Sequence, residues 1–133
     1  MEYTFEQYLT LDDFKEQTGY DLTKRVEQGD FETLEEAAKN FMQTCFDELV
    51  DEVIKPQNGD IWTNNFLQDI LTDADDNYII GTMKKGFIKA FKEHCLYRFE
   101  VGDPVAVGSS NLPRYSEHTI QLLCNARIIQ RSL

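Results

Sequence analysis

Apolar residues recur every three or four positions along most of the chain, and this spacing predicts helices rather than strands. The longest series starts near Phe31 and ends near Ile54, where Pro56 and the residues after it stop the pattern. Its apolar members trace one face of a 3.6-residue period, and they are Leu34, Ala37, Ala38, Phe41, Met42, Cys45, Leu49 and Val53. Most charged residues of the segment, Glu48 included, fall away from that face. The pattern therefore predicts one long amphipathic helix, the second along the chain.

A shorter first helix precedes it, from Thr10 to about Thr18. Thr10 with Asp13 three residues later resembles a capping box, in which side chains and backbone groups at a helix start satisfy each other. Gly19 suits the end of this helix, because glycine readily adopts the left-handed backbone that follows many last turns. The first helix is therefore expected to be short and to have few apolar anchors.

Three more helices are predicted beyond the second. The third spans residues 60–71 and carries the single tryptophan, and the fourth runs over about residues 76–99. Gly81 and Gly86 weaken the first half of the fourth helix, which indicates either a kink or a close crossing with another helix. The last helix begins at Ser116 and carries Ile120, Leu123, Arg127 and Ile128.

Residues 101–115 lack a helical period and contain glycines and prolines, so an extended loop or arm is predicted there. The candidate arm residues are Val105, Val107 and Leu112. With 133 residues the chain fits one domain, residues 1–133. The predicted fold is mainly α, a compact bundle of four to five helices with an extended loop or arm before the C-terminal helix.

The composition agrees with a folded and reduced protein. Hydrophobic residues make up 41% of the chain, and nine Phe and six Tyr supply bulky core side chains, which argues against disorder. The three cysteines, Cys45, Cys95 and Cys124, are odd in number and form no CxxC pair, so reduced thiols are expected. We expect no secretory signal, because residues 1–6 contain neither a basic region nor an apolar run. We also expect no membrane span, because no run of roughly 18 apolar residues occurs.

The formal net charge of −11 is unevenly distributed along the chain. Residues 1–60 hold 16 acidic and 5 basic residues, whereas residues 61–133 hold 8 of each. A strongly acidic surface repels phosphate backbones, so general binding of nucleic acid is disfavoured. The charge either serves solubility alone or lets acidic faces meet basic faces of neighbouring copies.

An acidic segment before the fourth helix raises the question of calcium. Asp73, Asp75 and Asn77 have the spacing of the first three oxygen ligands of an EF-hand loop. However, Tyr78 stands where that loop needs glycine, and Lys84 stands where it needs a bidentate glutamate. A helix start is the preferred interpretation, because Asp residues in a first turn interact favourably with the helix dipole.

The remaining candidates for chemistry are weaker. His94 and Cys95 with His118 and Cys124 could suggest zinc, but their spacing matches no common ligand pattern. We expect solvated or hydrogen-bonded histidines, and cysteines that act as small apolar side chains. Pairs of adjacent carboxylates point about 100° apart on a helix instead of converging, and no nucleophile, phosphate-loop or zinc-protease motif occurs. The chain is therefore predicted to be no enzyme and to use no metal or cofactor.

Three lysines, Lys85, Lys89 and Lys92, follow at four- and three-residue steps and form a basic stripe on the fourth helix. The stripe is either the solvated face of an amphipathic helix or a docking face. A docking face would meet the acidic second helix of a neighbouring copy, or DNA. The candidate subunit interface pairs the lysines with residues of the second helix, namely Glu36, Asp47 and Asp51.

The order of these segments resembles the small head–tail connector, or adaptor, proteins of tailed bacteriophages and prophages. The best matching stretch is Met83–Gly102, in which Lys84, Lys85 and Ala90 lie on a helix that precedes a glycine turn. Members of that family are compact helical domains of about this length, and an extended loop and a final helix follow the glycine. The resemblance covers most of the chain in outline.

This resemblance implies a structural protein of the virion neck, made in the bacterial host cytoplasm. Its copies would form a ring, a dodecamer, below the portal protein. The ring would extend the channel for DNA and dock the next neck or tail protein. The resemblance implies no catalysis, no cofactor and no membrane. A second class stays open, namely an acidic phage-encoded inhibitor or regulator that binds a host protein.

Overall fold

The computed structural model describes residues 3–101 and 113–130. Six α-helical segments occur in these residues, one of them a single turn, and the mainly α prediction is confirmed. They are α1 Leu11–Thr18, α2 Leu34–Glu48, α3 Lys55–Asn58, α4 Asp60–Thr72, α5 Tyr78–Val101 and α6 Glu117–Asn125. No strand occurs in the described ranges. The candidate arm residues Val105, Val107 and Leu112 lie outside them, so the predicted arm stays a prediction.

The predicted cap residues do begin and end the helices. Thr10 accepts a hydrogen bond from the backbone N–H of Asp13 at 3.1 Å, and the Asp13 carboxylate accepts the Thr10 N–H in return. Helix α1 ends at Gly19, whose φ of 80° lies in the left-handed region. Ser116 begins α6 by accepting the backbone N–H of Thr119 at 3.1 Å. The sequence signals for the first and last helix starts are therefore confirmed.

The second predicted helix continues further than its sequence indicated. A π-helical segment, Leu49–Ile54, joins α2 to α3, and the Lys55 N–H bonds the Val50 carbonyl five residues back. Pro56 therefore does not stop the helix; it lies in the first turn of α3, directly after the π-helical segment. The helical path ends at Gly59, whose φ is 86°.

The core between α2 and α5 is built largely from aromatic rings. Phe46 of α2 packs edge-to-face against Phe87 and Phe91 of α5, with ring centroids 5.9 and 5.8 Å apart. Tyr8 stacks on Phe46 at 5.5 Å and donates its hydroxyl to the Leu67 carbonyl at 2.8 Å. Each such aromatic pair contributes about 0.5–1.5 kcal/mol beyond its burial. The rings thereby connect the N-terminal segment, α2, α4 and α5.

Helix α6 lies against α5 at Gly86. A methyl group built on Gly86 would lie 2.3 Å from the Cβ of Ala126, far inside van der Waals contact. At Gly81 the same methyl group would lie 2.8 Å from the Ala74 carbonyl oxygen. Close approach rather than a kink therefore explains both glycines, and α5 runs through them without interruption.

Beyond α6 the chain turns back into the core. Arg127 is exposed and has a φ of 62°, whereas Ile128 and Ile129 are both buried. The Ile128 carbonyl accepts the side-chain amide of Asn58 at 2.9 Å. The assignment of Arg127 and Ile128 to the last helix is therefore wrong, because the chain leaves helical geometry to bury the two isoleucines.

We predict that Gly86→Ala lowers the free energy of unfolding. The added methyl group gains roughly 1 kcal/mol of helix propensity, but overpacking of this kind costs about 1–3 kcal/mol. In an Ala126→Gly background the clash disappears, so the same substitution should there be neutral or stabilising. Urea unfolding followed by circular dichroism measures the free energy of unfolding of the wild type, the two single variants and the double variant. If Gly86→Ala lowers it equally in both backgrounds, the contact with Ala126 is not the cause of the loss.

Candidate functional site

Glu48 is the most unusual residue of the interior, because its carboxylate is only 6% exposed. The sequence pattern placed it off the apolar face of the second helix, and this is wrong. Glu48 lies three residues after Cys45 and therefore on nearly the same side of α2 as that buried thiol. A buried charge is costly unless it is paired and hydrogen-bonded, so its partners decide whether it can stay.

Three cationic or hydrogen-donating side chains surround the Glu48 carboxylate. His94 Nε2 lies 3.2 Å from Oε1, and Arg114 Nη2 lies 2.6 Å from Oε2. Arg98 also pairs with Oε2. Arg114 extends the cluster to the surface, since its Nε donates to Glu52 Oε1 at 2.8 Å. Two guanidinium groups thus balance two carboxylates, one buried and one partly exposed.

Tyr115 closes this cluster from the side of the C-terminal segment. Its hydroxyl lies 3.0 Å from the backbone oxygen of Glu48 and 2.9 Å from Oε1 of Glu52. Its ring lies against the imidazole of His94, with centroids 4.7 Å apart. Because Arg114 and Tyr115 are neighbours, the segment that enters α6 is attached to α2 by both side chains.

The surroundings hold Glu48 in its charged form. Burial alone would raise the pKa of this carboxyl, but the hydrogen bond with His94 and the charge of Arg98 outweigh it and lower the pKa below its usual value. Burial and the hydrogen bond to Glu52 raise the pKa of Tyr115, so the phenol keeps its proton. The cluster therefore contains a permanent anion held by neutral and cationic donors.

His94 differs from the predicted solvated or fully hydrogen-bonded histidine. Its side chain is 0% exposed, and its Nδ1 has no hydrogen-bond partner among the described residues. Cys45 and Cys95, both buried, lie beside it. Ligand atoms of Cys45, Glu48 and His94 lie within 4.8 Å of one another. The sequence predicted cysteines in the core but gave no sign of this convergence.

A cysteine, a histidine and a carboxylate are also the residue types of a thiol hydrolase. Such a nucleophile must meet its substrate, and the Cys45 sulfur is 0% exposed. Burial and the contact with Cys45 raise the pKa of the Cys95 thiol, which therefore stays protonated and unreactive. The geometry suits a role inside the fold, such as holding helices or an ion.

The predicted basic stripe does lie on the surface of α5. Lys85 and Lys89 are exposed, and within residues 3–101 and 113–130 neither forms an ion pair. Lys92 is half-buried and donates to the side chain of Gln17 at 2.8 Å. The same helix face begins with Tyr78, which is 89% exposed. We call this face the α5 stripe and define it as Tyr78, Thr82, Lys85, Lys89 and Lys92.

The three acidic interface candidates lie on α2 and its extension, but they do not form one patch. Asp47 and Asp51 line a groove of about 530 Å³ with Gln43, Lys55 and other residues, which we call the α2 groove. Gln43 donates to Asp47 at 2.8 Å, and Lys55 pairs with Asp51 at 3.1 Å.

Glu36 lies 11 residues before Asp47, which is about 16 Å along a helix axis. Its carboxylate accepts the Glu32 N–H at 3.2 Å. Only Asp47 and Asp51 therefore share a surface.

The acidic segment before α5 acts as a helix start. The side-chain oxygen of Asn77 accepts the N–H groups of Ile79 and Ile80 at 3.0 and 3.2 Å, which satisfies two free donors of the first turn. Asp73 and Asp75 are exposed. A helix does begin directly after this segment, as the preferred interpretation expected, and Asn77 is its capping residue. The expected Asp residues in the first turn are wrong, because the first turn of α5 contains no acidic residue.

Comparisons with protein-family models, with curated proteins and with solved structures find no match to this chain. Among the described helices, none is long and apolar enough to cross a membrane.

We predict that removal of the two carboxylates that Arg114 contacts lowers the free energy of unfolding by very different amounts. Glu48→Gln should lower the free energy of unfolding by about 3–5 kcal/mol, because it removes the buried anion that Arg98 and Arg114 both contact. Glu52→Gln should cost about 0–1 kcal/mol, because that side chain is 43% exposed. Urea unfolding of both variants is the measurement, and similar losses would mean that Glu48 is not the centre of the cluster.

Proposed function

We propose that this chain is a structural, non-catalytic assembly protein whose copies join into a ring through the α5 stripe. The observation that carries the proposal is the pair Lys85 and Lys89, which are exposed and unpaired within the described residues of a chain with a net charge of −11. Charge left without an internal partner on an otherwise acidic protein favours contact with an acidic surface.

The α5 stripe favours a head-to-tail contact between copies. If two stripes met across a two-fold axis, the lysines of one copy would face the lysines of the other, and like charges would repel. The complementary surface must then be a different patch of the neighbour. A contact between two different patches closes into a ring when its rotation permits. The α2 groove, with Asp47 and Asp51, is the acidic surface we propose for that patch.

The contacts in the interior favour a subunit that keeps its shape within an assembly. The contacts of Glu48 with His94, Arg114 and Tyr115 fix α2, α5 and the start of α6 relative to one another. The α5 stripe and the α2 groove therefore belong to one connected unit. The exposed Tyr78 at the start of the stripe adds an aromatic anchor, a residue type that is enriched at protein interfaces.

The setting we propose is the neck of a tailed-phage particle, with the ring below the portal protein, and the resemblance over Met83–Gly102 supports it. There the ring would continue the DNA channel and dock the next neck or tail protein.

We predict that Lys85→Glu/Lys89→Glu weakens self-association while leaving the subunit folded. At an ionic strength of about 0.01 M the Debye length is roughly 30 Å, so the attraction between stripe and groove should be strongest there. Sedimentation velocity over a concentration series measures the assembly, and circular dichroism checks the fold. Wild-type assembly should decrease as salt is added.

Lys24→Glu is the control, because Lys24 is an exposed lysine outside the α5 stripe. It should assemble as the wild type does, and Lys85→Glu alone should assemble less. A double variant that assembles like the wild type at low salt would refute the stripe as the interface. A wild-type chain that stays monomeric at low salt and high concentration would refute self-assembly itself.

A further inference from the structure

Cys45, Glu48 and His94 bring a sulfur, an oxygen and a nitrogen donor together in the core, within 4.8 Å of one another. Cys45 and Glu48 come from one side of α2, and His94 comes from α5. A tetrahedral zinc ion with bonds of about 2.0–2.3 Å holds its ligand atoms roughly 3.3–3.8 Å apart. Small side-chain adjustments would therefore bring the three donors to this spacing. We propose that Cys45, Glu48 and His94 are three ligands of a zinc-binding site.

The imidazole of His94 already faces the second proposed ligand. Its Nε2 lies 3.2 Å from Glu48 Oε1, which is close to the spacing of two ligand atoms on one zinc ion. An ion between the two atoms would replace the hydrogen bond that joins them, and Nε2 would be the ligand atom of a neutral imidazole. The other ring nitrogen, Nδ1, has no hydrogen-bond partner among the described residues.

The two arginines orient the Glu48 carboxylate so that one oxygen can bind an ion. Arg98 and Arg114 both contact Oε2, which leaves Oε1 facing His94. Ligating carboxylates in metal proteins are commonly held by such additional hydrogen bonds, which orient the oxygen that meets the ion.

The set of donors selects the kind of ion. Thiolate and imidazole suit zinc, whereas magnesium and calcium favour oxygen ligands. Binding would release the Cys45 proton, because the thiolate is the form of cysteine that binds metal. Arg98 and Arg114 balance Glu48 and Glu52, so zinc with one thiolate adds one net positive charge. We therefore expect weaker binding than at a site with four cysteines.

Titration with cobalt, a spectroscopic substitute for zinc, tests the site directly. The full chain, stripped of metal by a chelator and kept reduced, should bind one equivalent of Co²⁺. Binding should produce a thiolate-to-cobalt charge-transfer band together with the visible bands of a tetrahedral ion, and Zn²⁺ should remove both. Zn²⁺ should also raise the Tm, because it binds the folded chain, and a chelator should reverse the rise. Absence of the charge-transfer band at stoichiometric Co²⁺ would overturn the proposal.

Matched variants locate the ligands. Cys45→Ala and His94→Gln should abolish the charge-transfer band or the stoichiometric binding. Cys124→Ala and His118→Gln should retain the charge-transfer band and the stoichiometric binding. Cys124 is only half-buried and His118 is exposed, and neither belongs to the three proposed ligands.

Circular dichroism shows which variants fold. If Cys45→Ala does not fold, the controls still decide, since loss of the band in Cys124→Ala would overturn the assignment. Retention of the band in a folded Cys45→Ala would overturn it as well. None of these outcomes depends on ring assembly.

Discussion

The rest of this structure depends on the burial of one carboxylate. Glu48 can remain in the core only while its two oxygens are occupied, and the partners come from α5 and from the segment before α6. Removal of any partner would leave a charge in an interior that solvates it poorly. The helices must therefore keep the positions that bring Glu48 and its partners together. Apolar packing alone would allow the helices to shift against one another, whereas a directional ion cluster does not.

This requirement also explains where the sequence was informative and where it was not. Helix starts and ends depend on local groups, and Thr10 with Asp13, or Gly19, could be recognised from their neighbours alone. The partners of Glu48 are 46 to 66 residues away along the chain, and no local pattern indicates them. A binary pattern of apolar and charged positions also counts every glutamate as outward-facing. The one available signal was spacing, because Glu48 follows the core residue Cys45 by three positions.

The same reasoning applies to the proposed zinc ligands. In the sequence, His94 lies nearest to Cys95, His118 and Cys124, the other histidine and the cysteines of the second half of the chain. In the structure His94 instead faces α2, since an α-helix turns adjacent residues about 100° apart. Metal sites assembled between helices take their ligands from tertiary packing, and short-range ligand spacing therefore misses them.

The helical period of α5 places its basic residues on two different faces. Phe87, Phe91, His94 and Arg98 recur at four, three and four residues and face inward, where Glu48 neutralises the arginine. Lys85 and Lys89 are offset from this row by about half a turn and point away from the core. Had the lysines been internally paired, the helix would have no charge to offer a neighbour. In the proposed assembly, one helix would therefore stabilise the subunit with one face and contact a neighbouring copy with the other, because the inner charges are already neutralised.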